Sequence, residues 1–269
     1  MANKDSSAQP PPDQPPDLPA WIWTLLPLAT IAVAAMALWI EPGWFEKMLA
    51  KDKDGGWVEL GTFLVLLPGI AASLVALIRH RRRLPKRWLA WWFAIWVAAC
   101  IYFAGEEISW GQHFFHWATP RLFENINVQK ETGFHNTSTW LNEKPRTMVE
   151  MWIVLGGLVL PLSKSRWYRP RQPLPMLDTT AWPAWFWPSH VGIIAAAMTL
   201  ITRGMEELGS AIESNRLTRL GSSEVREFYV ALFLSLYLLS FWWRLKEQKV
   251  SSFKCEGSSE SKVDKVSGP

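Results

Sequence analysis

Long apolar runs alternate with shorter polar segments along this chain, at 21–40, 57–78, 88–104, 148–162, 189–202 and 228–243. Each comes close to the roughly 20 residues that an α-helix needs to cross a bilayer core. Runs of that length, bounded by polar segments, read as membrane helices and not as strands. The pattern predicts an all-α integral membrane protein, a bundle of about six transmembrane helices, with the third and fifth helices running on to residues 108 and 207. Six spans leave no polar stretch long enough for a second core.

The flanks read differently. Residues 1–20 are Pro-rich and poor in bulky apolar groups, so they are expected to be disordered. Only Lys4 precedes the first run, which is full-length, so it reads as a retained helix and not as a cleaved secretory signal. Residues 244–269 form a polar tail expected to fray, and residues 117–147 an outer loop.

Composition changes this picture little. Of the 269 residues 49% are hydrophobic and 19 are Trp, but the mean hydropathy of +0.02 averages over strong segregation. Cys100 falls in the third run and Cys255 in the tail, so no bridge or thiolate metal site follows from them. Charge gives orientation. Counted by side of a six-span bundle, 17 of the 28 Lys and Arg fall in the termini, the RHRRRLPKR loop and the 163–181 loop, and 11 opposite. Basic residues stay cytoplasmic, so both termini are predicted inside. Acids run the other way, with 8 of 24 on the inner side and 16 on the outer. The pI of about 9.1 is therefore explained by topology and lipid head groups, and no nucleic-acid partner is implied.

The candidate chemistry gathers at the outer end. Glu106 and Glu107 close the third span, while Arg203, Glu206 and Glu207 lie at matching depth on the fifth. On a continuous helix Glu106, Trp110 and His113 share one face. Arg203 lies four residues before Glu207, the spacing of an intrahelical pair. With Glu59 added, five acids face Arg203 as the one cation embedded among them, which calls for protonated carboxyls or a bound cation. Glu59 and Glu150 read more simply, as acids stabilising the first turn of a helix.

The loop 117–147 brings Asn127, Gln129, Glu131, His135 and Asn136 within ten residues, and reads as a lid over the outer mouth. Glu107, Glu131 and His135, with His113 and His116 as weaker candidates, supply nitrogen and oxygen donors for a divalent metal such as zinc. Their spacing matches no diagnostic metal motif. His190, beside Pro188, reads as an interfacial histidine. Trp91, Trp92, Trp96 and the aromatics of 182–187 read as membrane anchors and packing groups. Gly156-Gly157 invites close helix contact.

The string Gly105-Glu106-Glu107-Ile108-Ser109-Trp110-Gly111-Gln112, followed by Asn127-x-Gln129-x-Glu131 and His135-Asn136, resembles a pattern in multi-pass bacterial membrane proteins of unassigned function. That resemblance implies a bacterial inner-membrane location and no particular activity. A weaker analogy is to the intramembrane CAAX-protease and bacteriocin-processing family, whose glutamate pair opens an E-E-x-x-x-R motif. Here that arginine position is Gly111, and Phe186-x-x-x-His190 spells its F-x-x-x-H on the opposite leaflet. The analogy implies a chemistry class only, glutamates activating water within a membrane.

These readings lead to a membrane-embedded hydrolase or transferase acting on a lipid-linked or peptide substrate. Glu107 would be the general base, and Glu106, Glu206 and His135 metal or substrate ligands. Arg203 would orient Glu207 or hold an anionic substrate group, with Asn127, Gln129 and Asn136 on the lid. The alternatives are a cation- or proton-coupled transporter, in which the same carboxylates load the ion, and a non-catalytic membrane scaffold. Sequence leaves oligomeric state open. The orientation has a direct test: green fluorescent protein fused after Pro269 should fluoresce, and alkaline phosphatase fused after Ser214 should be active. The reverse pattern would invert the topology.

Overall fold

The computed structural model describes residues 17–49, 56–115, 117–121, 132, 139–167 and 182–263. All regular structure among them is helical. In chain order the helices are α1 (Ala20–Ile40), α2 (Pro42–Leu49), α3 (Trp57–His80), α4 (Arg87–Glu107) and α5 (Gln112–Phe115). There follow α6 (Thr139–Trp152), a π-helical segment (Ile153–Val159) and α7 (Leu160–Trp167), which are continuous. The last are α8 (Pro183–Phe186), α9 (Ile193–Ala211), α10 (Asn215–Leu220) and α11 (Ser223–Val263).

Five helices are long and apolar enough to cross a membrane: Ala20–Ile40, Trp57–Arg83, Arg87–Glu107, Arg146–Ser163 and Asn215–Lys246. The predicted fifth span forms as α9, but Arg203, Glu206 and Glu207 in its second half keep it outside that set. Large apolar side chains point outward from the bundle. Ile78, Trp91 and Ile40 are each more than 70% exposed. In water such a surface would be strongly unfavourable, so it is compatible with an integral membrane protein.

The middle of the bundle is α11. In its most apolar window 78% of the residues are buried, against 17–33% in the other four spans. It packs most extensively on α3, and also on α9 and α4. Small residues permit this. A Cβ at Gly69 would lie 2.9 Å from the Ser235 backbone, and nearby the Ser73 hydroxyl donates to the Leu238 carbonyl at 3.0 Å. At Gly157 a Cβ would lie 2.7 Å from the Phe233 ring and 2.8 Å from Ala196, so the predicted close contact of that glycine is with α9 and α11. Across the bundle the Tyr229 hydroxyl meets the Thr30 hydroxyl of α1 at 3.1 Å.

Several predicted boundaries move. Helix α6 begins at Thr139, so the end of the expected outer loop is helical. Helices α2 and α10 lie inside segments read as connections, and they meet through the Arg219–Glu46 ion pair and a small core containing Leu38, Phe45 and Leu220. The last residues of the expected disordered tail are docked: Leu18 is buried, and Asp17 accepts from the Ser240 hydroxyl at 2.7 Å. The expected frayed C-terminal tail continues α11 as helix to Val263, and Arg244 is buried, with Nε donating to the Ser240 carbonyl. Trp92, Trp152, Phe186 and Trp187 stack into one aromatic cluster, while Trp91 points outward. His190 is exposed and meets the edge of Trp23.

The turn from α10 into α11 sets the height of the polar end. A Cβ on Gly221 would overlap the backbone of Thr202 and Glu206, so this turn crosses α9 in direct contact. Gly204, one helix face away, has open space around it. Gly221→Ala should therefore destabilise the protein by about 1–3 kcal/mol, the range for overpacking. Gly204→Ala should raise stability by up to about 1 kcal/mol through helix propensity. Thermal unfolding of both variants in the same detergent checks the contrast.

Candidate functional site

The segment expected to carry Glu106, Trp110 and His113 on one continuous helix does something else. Helix α4 stops at Glu107, and Ser109, Trp110 and Gly111 take φ values of +47°, +56° and +97°. Left-handed backbone ends a helix, and the reversal folds the Trp110 ring back over α4. Its Nε1 donates to Glu106 Oε1 at 2.6 Å. The ring covers Gly105, where a Cβ would lie 2.9 Å from it. Glu106 is buried, and an ionisable group out of water requires such partners.

Gln112 then ties down the chain beyond. Its Nε2 donates to the Thr119 hydroxyl at 2.8 Å and to the Trp117 carbonyl at 3.2 Å, while its Oε1 accepts from the Thr132 amide at 2.7 Å. Gly105, Glu106, Trp110, Gly111 and Gln112 thus have structural duties that account for much of the GEEISWGQ string. His113 lies on α5. His116, Asn127, Gln129, Glu131, His135 and Asn136 lie outside the described residues, and with them the polar run of the expected lid and most of the expected metal ligands.

The second acidic pair belongs to an arginine–glutamate network joining three helices. Arg226, from the first turns of α11, donates through Nη1 to Glu206 at 2.5 Å, and its Nε lies 3.7 Å from Glu150. Arg203 reaches Glu207 through Nε at 3.3 Å, the intrahelical pair that the spacing predicts, and Glu150 through Nη1 at 3.4 Å. Arg146 bridges Glu150 at 3.2 Å and Glu227 at 2.9 Å. Glu150 therefore faces three guanidinium groups. Arg203 is thus not the one cation at this pair: Arg226 and Arg146 join it, so that three guanidinium groups meet the four carboxylates Glu150, Glu206, Glu207 and Glu227.

Glu150 and Arg226 were the residues that pattern reading passed over. Glu150 read as a helix-start acid, whereas α6 begins eleven residues earlier. Arg226 precedes the last apolar run of the sequence, yet it is three residues inside α11 and only 13% exposed. One local signal was available, the Arg146–Glu150 spacing of four. The meeting of Glu206 with Arg226 depends on how the α10–α11 turn crosses α9.

Beside this network runs a groove of about 320 Å³ between α6, the π-helical segment and α9. Its walls are Met151, Val154, Leu155 and Leu200, and its polar end is Glu150, Arg203 and Arg226. Met151, Leu155 and Leu200 are each more than 40% exposed, so the groove opens on the outward face of the bundle. The π-helical wall is notable because such segments are frequent at functional sites. Here Gly156 lets it close on Pro188, whose Cδ would lie 2.8 Å from an added Cβ. Glu106 and Glu107 do not line this groove.

Among the described residues no group of three or more His, Cys, Asp or Glu side chains could hold a metal ion. Comparison with protein-family models, curated proteins and solved structures finds no match. The site must therefore be read from its own geometry.

Removing the Glu150 charge takes one of two carboxylate partners from each of Arg146, Arg203 and Arg226, while Glu207 is 70% exposed and pairs with Arg203 alone among the described residues. Glu150→Gln should cost about 1–3 kcal/mol, the range for losing hydrogen bonds to charged groups. Glu207→Gln should cost less than about 1 kcal/mol. Unfolding in detergent would separate them, and equal losses would refute the central place given to Glu150.

Proposed function

We propose that this chain is a six-span integral membrane protein, with its termini on the cytoplasmic side, that takes an amphiphilic ligand from the bilayer into the groove between α6 and α9. The observation that carries this reading is the groove itself: apolar walls open to the outward face, ending at an arginine–glutamate cluster. An apolar cleft with a few convergent polar groups is the usual form of a ligand site, and 320 Å³ falls at the small end of the roughly 300–1,000 Å³ range. Ionisable groups within membrane helices mark function by default.

In its enzymatic form the reading is a hydrolase or transferase acting on a lipid-linked substrate. Glu150, which lines the groove, then takes the place first given to Glu107 as the carboxylate nearest the ligand. Glu206 supports this arrangement by holding Arg226.

The test is occupancy. Native mass spectrometry of the full chain, purified in uncharged detergent, should find one retained amphiphile per chain. Leu200→Trp, which fills the groove from an exposed position, should lose it while unfolding at an unchanged temperature. Equal retention by both proteins would overturn the groove as the site.

A further inference from the structure

Resting on that groove reading, we propose that its ligand is a single-chain amphiphile with an anionic head group, a carboxylate or a phosphate, seated against Arg203 and Arg226. The charge of the lining is the first argument. Two guanidinium groups and one carboxylate bound the polar end, while Glu206 and Glu207 lie outside the lining. Glu207 and Glu206 thus hold Arg203 and Arg226 from outside the groove, and Glu150 is the one carboxylate that holds them from within its lining.

Unused donors are the second argument. The Nε of Arg226 is buried and makes no hydrogen bond among the described residues, standing 3.7 Å from Glu150 as an ion pair, and Nη2 of Arg146 in the same network makes none either. Arg203 is engaged through Nε and Nη1, yet its guanidinium carries five N–H donors and its side chain is 57% exposed. A buried N–H without an acceptor is unfavourable. An anionic oxygen at the polar end takes the donors that Arg203 leaves unused, and a planar guanidinium fork suits carboxylate and phosphate alike.

The apolar walls set the rest of the ligand. The lining runs along α6 and the π-helical segment from Glu150 to Leu155, and on α9 Leu200 lies one turn from Arg203. A groove of this volume accepts one alkyl chain beside Met151, Val154, Leu155 and Leu200, with its head at the arginines. An ammonium head group would instead meet two like charges, and an uncharged one would satisfy the open N–H groups of Arg203 less well.

The experiment compares three amphiphiles of one chain length, dodecyl phosphate, dodecanoate and dodecyltrimethylammonium, titrated onto the delipidated full chain in uncharged detergent. At least one anion should bind ten or more times more tightly than the cation, and whichever binds better identifies phosphate or carboxylate as the source. Arg203→Gln should weaken anion binding about tenfold, or about 1.4 kcal/mol. It should leave cation binding unchanged or improved, and Arg203→Lys should recover part of the loss. Because Arg203 is exposed, this variant avoids the folding risk of Arg226→Gln.

Equal binding of all three head groups, blocked by Leu200→Trp, would overturn the anionic inference and leave the groove reading standing. Preference for the cation would do the same. Binding of none of them would overturn both.

Discussion

Burial of one helix on nearly all sides is the constraint on which the rest of this structure depends. A helix in the middle of a bundle leaves its neighbours no choice but close approach, and α11 meets α3 at Gly69, the π-helical segment at Gly157 and α9 through the turn at Gly221. Each contact is made by backbone or ring atoms where a side chain would intrude. In a membrane, where lipid is as apolar as leucine, close packing of this kind drives association in place of the hydrophobic effect. The outer helices then keep large apolar residues such as Ile78 and Trp91 facing outward.

From that packing follows the chemistry of the polar end. Since Gly221 brings the start of α11 onto α9, Arg226 arrives at Glu206, and Glu150 completes the group from α6. Charges in a low-dielectric setting interact strongly but pay heavily for lost water, so they persist only as well-partnered groups. Glu150 satisfies this by facing three arginines, and the groove beside it inherits their orientation.

A different device governs the end of α4. Three consecutive left-handed residues turn the chain back, so Trp110 both covers Gly105 and holds Glu106. The glutamate pair that looked most like catalytic machinery is thus partly a matter of ending a helix and anchoring, through Gln112, the chain that follows. The arginine–glutamate network, not this pair, adjoins the groove.

By itself the sequence determined the helical class and the apolar runs, because hydrophobicity is a local property that a run of residues carries wherever it goes. It also determined the Arg203–Glu207 pair, since a spacing of four fixes neighbours on any helix. Only the tertiary structure decided that Glu150, an ordinary acid by position, would be central, and that Arg226 would answer Glu206 from another helix. It alone decided that Trp110 would fold back, because left-handed backbone at Ser109 and Trp110 has no signature in residue type. Such outcomes depend on which faces meet and at what height, and those are set where Gly69, Gly157 and Gly221 let helices distant in sequence approach closely.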